Sequence, residues 1–484
     1  MGNSPRTASI HILDDDSLLH VFYLYRPFLS GEDQDDDARL AGGNEIGTRG
    51  RWWYKPAQVC QRWRNIIFGS ASYLGLFLVC THGTPVADML AHSPSLPLIV
   101  HYTVKGRDIT TDDEQGIIIA LKQRHRVLRV RLCPSGISLQ ERFIAVMDEE
   151  YPILEYLTIG LADEDNSSTL ILPENLQAPH LRLLFLRGFQ VAISMGSRLL
   201  TTTASLVTLN LVMVHPSTYF HPNALLQCIS LMPQLEMLTI CFEFSTPNRD
   251  VEGQLTHTPI IAPVTLPNLR HFVFRGVSTY LEVLVHRITA PRLKKLRIQF
   301  FNQLTFFVPR LLQLINTAED LRFHRANLFF SEKHVQVVIY PHGVTGNIEM
   351  YAFVIHVFCW HLDWQVSSIV QISNSLNQVF SAVEYLELVH RVHGRSSEEH
   401  NEVDRAEWRR LLRPFSNVKT LKIPKGLVED LSRCLRLEDG ELPLEVLPEL
   451  QELKYSGSGD TGDGFTPFVD ARRNASRPVK LVRW

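Results

Sequence analysis

The sequence of 484 residues predicts an α/β repeat fold, an irregular solenoid of strand-plus-helix units that follows a small all-α module. Three observations predict it. A short apolar motif recurs along most of the chain, helical patterns lie between its copies, and the beginning of the chain shows helical patterns without the motif. The predicted boundaries are 1–100 for the helical module and 101–484 for the solenoid, which ends in a capping helix and strand.

The repeated motif is apolar-x-x-apolar-x-apolar, and its last three residues alternate apolar, polar and apolar. Such alternation is typical of a short strand with one buried face. Copies begin at residues 127, 154, 181, 206, 235, 269, 293, 383, 418 and 450. Several copies follow a proline, as in "APHLRLL" and "LPNLRHF". Because proline cannot donate to a sheet ladder, it suits the turn that enters the strand.

Helical patterns lie between the motifs. "PNALLQCISLM" at 222–232 and "FFVPRLLQLINTAEDL" at 306–321 repeat their apolar residues every three or four positions, as amphipathic helices do. A strand and a helix that recur every ~20–35 residues indicate a leucine-rich-repeat horseshoe. The alternative is an ordinary α/β sheet protein whose strands are rich in leucine.

The interval between residues 321 and 383 has room for about two further units. In it, "VQVVIY" and "MYAFVIHVF" predict strands, and "DWQVSSIVQISNSLNQVF" predicts a helix with Asp363 at its N-cap. A glycine-rich linker at 456–464 precedes the end of the chain. We expect a final helix to about Asn474 and a last strand, "VKLVRW".

The N-terminal module contains two helical patterns. "ILDDDSLLHVFYLY" at 12–25 follows an Asp/Ser start that suits an N-cap. Its apolar stripe comprises Leu18, Leu19, Phe22 and Tyr23. An acidic insertion near 27–51 interrupts the pattern, and "WWYKPAQVCQRWRNII" at 52–67 resumes it. The stripe expected on this second helix comprises Val59, Trp63, Ile66 and Ile67.

Together these segments resemble the F-box, a helical module with a Leu-Pro-x-Glu opening and a later Val-Cys-x-x-Trp helix. "ILDDDSLLHVF" corresponds to the first element and "AQVCQRWRNII" to the second, with Asp14 and Asp16 where the family has Pro and Glu. With irregular leucine-rich repeats behind it, the module is similar to the F-box-like proteins of basidiomycete fungi, in which long acidic insertions are common.

The resemblance implies a substrate-recognition subunit of a ubiquitin ligase. F-boxes dock onto a Skp-type adaptor, which joins them to a cullin scaffold, and the repeats hold a protein substrate. The residues that the resemblance implies for docking, or for its support, are Ile12, Leu13, Leu18, Leu19, Phe22, Val59, Cys60, Trp63 and Ile67. Among them we expect Trp63 to belong mainly to the core, and Leu18 and Leu19 mainly to the interface.

The outward side chains of the repeat strands are the candidate substrate site, because the concave sheet of a horseshoe is its usual binding face. The candidates are Tyr156, Leu183, Phe185, Met237, His271, Lys295, Arg297 and Tyr385. The first strands offer apolar and aromatic side chains, and the later strands offer charge. Alternatively, loops of the same chain cover the apolar side chains.

Composition limits the classes of function. A net charge of −3 gives no whole-protein attraction to nucleic acid or anionic membrane, so neither is an expected partner. The longest apolar run, 351–360, is too short to cross a bilayer, and the chain does not open like a signal peptide. Seven scattered cysteines without a C-x-x-C pair favour a reducing compartment, cytoplasmic or nuclear.

No motif points to catalysis. The sequence lacks G-x-S-x-G, H-E-x-x-H and Walker patterns, so we expect no catalytic residues, metal or cofactor. "HRVH" at 390–393 places two histidines three apart without a third ligand nearby, which favours surface histidines. We therefore expect a non-enzymatic ligase adaptor. The alternatives are a ligase-independent interaction scaffold and an enzyme of unrecognised type.

Overall fold

A computed structural model describes the chain in a set of ranges: 13–26, 51–103, 109–134, 137–160, 170–188, 191–214, 220–243, 262–343, 350–391, 403–438, 440–456 and 464–484. It divides into two compact units, Met1–Leu206 and Val207–Trp484. The predicted boundary at residue 100 lies inside the first unit and stays a prediction.

The first unit combines the N-terminal helices with a parallel sheet. Its helices are α1 Asp15–Tyr25, α2 Tyr54–Val59, α3 Gln61–Gly69, α4 Ala71–Leu74, α5 Val86–His92, α6 Thr111–Leu121, α7 Ile137–Ala145 and α8 Arg198–Thr201. Its strands are β1 Leu78–Cys80, β2 Leu98–Thr103, β3 Val127–Cys133, β4 Tyr156–Gly160, β5 Leu170–Ile171, β6 Leu183–Arg187 and β7 Val191–Ala192. Strands β1, β2, β3, β4 and β6 pair in that order, all parallel.

The second unit continues the same alternation. Its helices are α9 Pro222–Ser230, α10 Ser278–Val285, α11 Pro309–Thr317, α12 Leu362–Ser375, α13 Asn377–Ser381, α14 Arg405–Leu412, α15 Val428–Leu435 and α16 Thr466–Asn474. Its strands are β8 Thr208–Val214, β9 Met237–Phe242, β10 Val264–Thr265, β11 His271–Gly276, β12 Ile288–Thr289, β13 Lys295–Phe300, β14 Arg325–Ser331, β15 His334–Tyr340, β16 Phe353–Phe358, β17 Tyr385–Arg391, β18 Thr420–Ile423, β19 Glu452–Tyr455 and β20 Lys480–Arg483. The sheet order is β8-β9-β11-β13-β16-β15-β14-β17-β18-β19-β20.

Each copy of the repeated motif leads into a strand, so the strand predictions are confirmed. Burial alternates as expected: along β11 and β13 every second side chain is buried and its neighbours are half-buried. The inward residues, such as Leu296 and Ile298, are completely buried. A mixed α/β chain with a long, mostly parallel sheet is consistent with a leucine-rich-repeat solenoid.

The prolines before the motifs occupy a recurring turn. The amide of the first apolar residue donates to the carbonyl three residues earlier, as from Leu181 to Ala178 (3.0 Å) and from Leu293 to Ala290 (3.2 Å). The proline lies just after the accepting residue, a turn position that its fixed φ angle favours. The turn carries the chain into each new strand.

The interval predicted to hold two further units contains instead a three-stranded antiparallel meander, so that prediction is wrong. Strand β15 pairs antiparallel with both β14 and β16. Only two residues, Glu332 and Lys333, separate β14 from β15, and so short a connection can join only antiparallel neighbours. The meander places β16 beside β13 and β14 beside β17.

Helix ends mostly follow the sequence signals. Asp14 caps α1, since its carboxylate accepts from the amide of Ser17 at 2.7 Å. The last helix ends at Asn474 and a last strand follows at Lys480–Arg483, both as predicted, and this strand pairs parallel with β19. Asp363 is not an N-cap: α12 begins at Leu362 with His361 at the cap. Asp363 lies in the first turn, where a carboxylate favours the positive helix end.

An ion-pair cluster joins α14 to the segment before β19. Arg405 contacts Glu441 at 2.5 Å, and Arg409, only 7% exposed, contacts Glu441 at 3.3 Å and Glu445 at 3.1 Å. The hydrogen bond from Arg405 lowers the pKa of Glu441 from its usual 4.5 to about 2.

This cluster predicts a loss of stability in acid. A carboxyl whose pKa is lowered by folding stabilises the fold above its unfolded pKa, and this contribution disappears as the pH falls from about 4.5 to about 2. We expect Glu441→Gln to lower the free energy of unfolding at neutral pH. We also expect this free energy to fall less steeply in the variant as the pH decreases below about 4.5. Urea unfolding at a series of pH values measures both effects. Parallel pH curves for wild type and variant would contradict the prediction.

Candidate protein-binding surfaces

The N-terminal helices share a small core. Leu18, Phe22 and Ile67 are at most 2% exposed, and the rings of Phe22 and Trp63 meet edge to face with centroids 5.0 Å apart. Arg62 adds polar contacts between α3 and the start of α1, donating to the carbonyl of Leu13 at 2.6 Å and pairing with Asp15 at 2.8 Å. The α1 and α3 helices therefore pack as one element.

The helix expected through "AQVCQRW" is broken, which corrects the prediction of one continuous stripe. Cys60 has extended backbone angles, φ −159° and ψ 169°, and separates α2 from α3. As a result Val59 does not share a buried face with Ile67 and is 61% exposed. No side chain caps the first amides of α3.

The docking residues implied by the resemblance fall into two groups. Leu18, Phe22 and Ile67 are buried by the chain itself and can only support a surface, so the expectation that Leu18 lies mainly at an interface is wrong. Leu13 and Val59 are exposed, and the half-buried members are Leu19, Cys60 and Trp63. Ile12 lies outside the described residues. Whether any of them docks a partner stays a prediction.

A second apolar face of α1 was not predicted from the sequence. Val21, Leu24 and Tyr25 are 44%, 69% and 60% exposed and recur at the spacing of one helix face. Nearby, the rings of Tyr23 and Tyr73 lie 5.3 Å apart, and both are exposed. The helix is apolar on several sides, so periodicity alone does not tell which stripe is buried.

The two tryptophans that open the quoted segment differ in role. Trp53 is 3% exposed, stacks on Tyr54 with centroids 4.1 Å apart, and donates from Nε1 to the carbonyl of Phe77 at 3.3 Å. Trp52 lies edge to face with Tyr25 at 6.2 Å.

In the first unit, the candidate substrate residues line up on the outward face of the sheet. Tyr156 is in register with Leu183, and the guanidinium of Arg129 lies over the ring of Tyr156 at 4.2 Å. Phe185 follows Leu183 on the same face, and these candidates are half-buried. The face presents an apolar strip with a cation at one side.

In the second unit, most candidates form one row across neighbouring strands. Met237, His271 and Lys295 are in register on β9, β11 and β13, and Arg297 follows Lys295 on the same face. Tyr385 is not part of this group, because β16, β15 and β14 lie between β13 and β17. Burial lowers the pKa of His271 to about 4, with Lys295 adding to the effect, so its imidazole is neutral near pH 7.

The charges on the last strands are largely compensated within the chain. Glu387 pairs with both Arg325 and Lys422, whose ammonium also lies 3.9 Å from the ring centre of Trp484. Glu452 is approached by Lys454 at 3.0 Å and Lys480 at 3.9 Å. This end of the sheet is therefore a network of ion pairs, where the sequence analysis expected available charge.

An apolar cluster covers part of the outward face between the cations of β13 and the ion pairs of the last strands. Val338, Tyr340 and Val354 are at most 3% exposed, and Phe329 and Tyr351 pack against them. This cluster was not predicted from the sequence, because it lies on the meander, whose pairing was not predicted. Val354 is in register with Arg297, so the cluster borders the cations of β13.

Several cysteines in the described ranges are buried. Burial raises the pKa of Cys80, Cys228, Cys359 and Cys434 to about 12, which keeps these thiols protonated. Within those ranges, no three His, Cys, Asp or Glu side chains gather as a metal site requires. Of the "HRVH" pair, only His390 is described; it is half-buried, and burial lowers its pKa.

Among the described helices, none is long and apolar enough to cross a membrane.

The fold and these surfaces define an α/β repeat chain with a helical N-terminal segment. Neither a family model nor a curated protein matches the sequence. Among solved structures, the leucine-rich repeat-containing protein LegL7 from Legionella pneumophila aligns with 83% of this chain and 98% of its own at 11% identity, with a TM-score of 0.25. A likeness this weak carries no argument, so the fold assignment depends on the strands and helices themselves.

Proposed function

We propose that the protein is a non-enzymatic interaction scaffold that acts as a substrate-recognition adaptor of a Skp/cullin/F-box-type ubiquitin ligase. In this proposal the N-terminal helices dock a Skp-type adaptor, and the outward face of the repeat sheet binds a protein substrate. The observation that carries the docking step is the exposed apolar face of α1, formed by Val21, Leu24 and Tyr25. Contiguous exposed apolar side chains on a helix are typical of protein-binding faces.

The buried residues of the module support that face. Leu18 and Phe22, on the adjacent side of the helix, anchor α1 to α3, and Arg62 pairs with Asp15 at its start. A helix held in this way presents its exposed side chains in a fixed arrangement, which reduces the entropy lost on binding.

Binding of a purified Skp-type adaptor to the full chain tests the proposal. We expect wild type to bind, and Val21→Asp/Leu24→Asp to weaken binding more than about tenfold, because charges replace apolar contacts at the centre of the interface. Both side chains are exposed, so the variant should keep its circular dichroism and thermal transition. Equilibrium binding measured by calorimetry gives the affinities.

The matched control is Leu304→Asp/Phe307→Asp, which introduces the same charges at side chains that are 95% and 73% exposed in the second unit. This control should bind the adaptor like wild type. Failure of folded wild type to bind would refute the adaptor role. Equal weakening in both double variants would assign the loss to net charge and refute the role of α1.

A second candidate is a scaffold that binds protein partners without a ligase. It is favoured by the burial of Leu18, Phe22 and Ile67, which removes a third of the nine residues implied for docking from the available surface. Asp14 also serves as the N-cap of α1, at a position where the F-box has proline. If the adaptor does not bind, this candidate remains, with the outward sheet face as its binding surface.

A further inference from the structure

The outward face of β11, β13 and β16 carries several cations. Its side chains are those of His271, Val273, Arg275, Lys295, Arg297, Gln299, Val354, His356 and Phe358. None of these residues is acidic. Side chains two residues apart on a strand share a face and lie about 7 Å apart, so Lys295 and Arg297 present their charges together.

The cations of β13 differ from those of the last strands in their partners. With the side-chain amide of Gln299 oriented so that its oxygen faces Arg297, the guanidinium Nε and Nη2 donate to that oxygen at 3.2 and 3.0 Å, a contact with a neutral amide. The ammonium of Lys295 lies 5.8 Å from the ring centre of Tyr351. Considering only the residues that the structure describes, no carboxylate lies within ion-pair distance of either cation, whereas Lys454 and Lys480 both approach Glu452.

The surroundings increase the effect of these charges. Both cations are half-buried, and half-buried charges are screened less by water than fully exposed ones. Arg297 is in register with Val354, which belongs to the buried apolar cluster with Val338 and Tyr340. The low pKa values of His271, about 4, and His356, about 3, arise first from burial and then from neighbouring positive groups, including Lys295 and Arg297. The region combines positive potential with an apolar border.

We propose that Lys295 and Arg297 form the anion-binding part of the partner site, and that they recognise Asp or Glu side chains in a protein segment whose apolar residues contact Tyr351 and Phe329. This inference deepens the proposed scaffold function and rests on it. Two neighbouring cations match one or two carboxylates, and arginine binds a carboxylate with two parallel hydrogen bonds.

A protein segment fits better than nucleic acid. A nucleic-acid strand presents phosphates in a continuous row and needs a matching row of cations. On β9, next to β11, the outward residues Met237 and Thr239 are neutral. The apolar border suits side chains of a peptide and offers little to a phosphate backbone.

Selection from a library of random peptides displayed on phage, with the immobilised full chain as target, tests the proposal. We expect the selected peptides to be enriched in Asp and Glu next to apolar residues. We expect Lys295→Gln/Arg297→Gln to lower the affinity of the best synthetic peptide by more than about tenfold, as loss of close charge pairs does. Fluorescence anisotropy gives the affinities, and salt should weaken binding to wild type.

The matched control is Lys454→Gln/Lys480→Gln, which removes the same charge from the same sheet face at cations that Glu452 already compensates. This control should bind the peptide within about twofold of wild type. Selected peptides without acidic residues, or equal losses of peptide affinity in both double variants, would overturn the inference. The adaptor role would be unaffected by that result, because binding of the Skp-type adaptor tests it separately. Displacement of the peptide by random single-stranded DNA at equal charge concentration would also overturn it.

Discussion

Trp408→Ala should destabilise the second unit by about 3–5 kcal/mol, the usual cost of removing a large buried aromatic side chain. Trp408 is 0% exposed on α14, and its ring meets Phe330 of β14 edge to face with centroids 5.7 Å apart. It therefore links a helix of the repeats to the meander. Urea unfolding followed by far-ultraviolet circular dichroism measures the change in the free energy of unfolding.

Two further variants make this result specific. Trp364→Ala removes the same side chain from α12 at a position that is 53% exposed, and it should cost less than about 0.5 kcal/mol. Trp408→Phe should recover most of the loss, since the buried Nε1–H of Trp408 has no hydrogen-bond partner among the described residues. Similar losses for Trp408→Ala and Trp364→Ala would contradict the packing of α14.

Leu18→Asp should unfold the N-terminal helices, and Leu24→Asp should not. Leu18 is 0% exposed between α1 and α3, so an aspartate there buries a charge without a partner at a cost of more than about 3 kcal/mol. Leu24 is 69% exposed, and its replacement leaves the core unchanged. Limited proteolysis of the full chain measures the difference as the rate of cleavage within residues 13–26 and 51–75.

This pair of variants separates folding from docking. A docking defect in Leu18→Asp would be explained by unfolding, while a defect in Leu24→Asp at unchanged protease resistance reports a lost contact. Equal protease sensitivity of the two variants would show that α1 packs with a different face inward.

The repeats were predictable because strand alternation and the proline turn are local signals. Ten copies of one motif specify where strands begin, and the long connections between most of these strands, many of them helical, favour parallel pairing. The meander was harder to predict. Its strands were partly recognised, but the two-residue connection at Glu332 and Lys333, which was the available signal, was not interpreted as a hairpin turn.

The binding surfaces were less predictable because they depend on tertiary contacts. The candidate residues of the sheet face were placed correctly on one face by the period of two, yet the pairing of Glu387 with Arg325 and Lys422 depends on strand order, which the motif does not encode. In α1, apolar residues on several sides allowed more than one buried stripe, so Leu18 was assigned to the surface. The helix break at Cys60 was not predictable from local sequence signals, because neither Cys60 nor its two neighbours in the chain is glycine or proline.

Hydrogen exchange of the full chain, with and without a purified Skp-type adaptor, tests whether the N-terminal helices dock the adaptor. We expect slower amide exchange on binding within residues 13–26 and 51–75, where α1 to α4 lie, and unchanged exchange in the last strands of the second unit. Protection confined to the repeat strands would show that the adaptor is held elsewhere. An absence of protection at saturating adaptor would contradict the claim that these helices dock it.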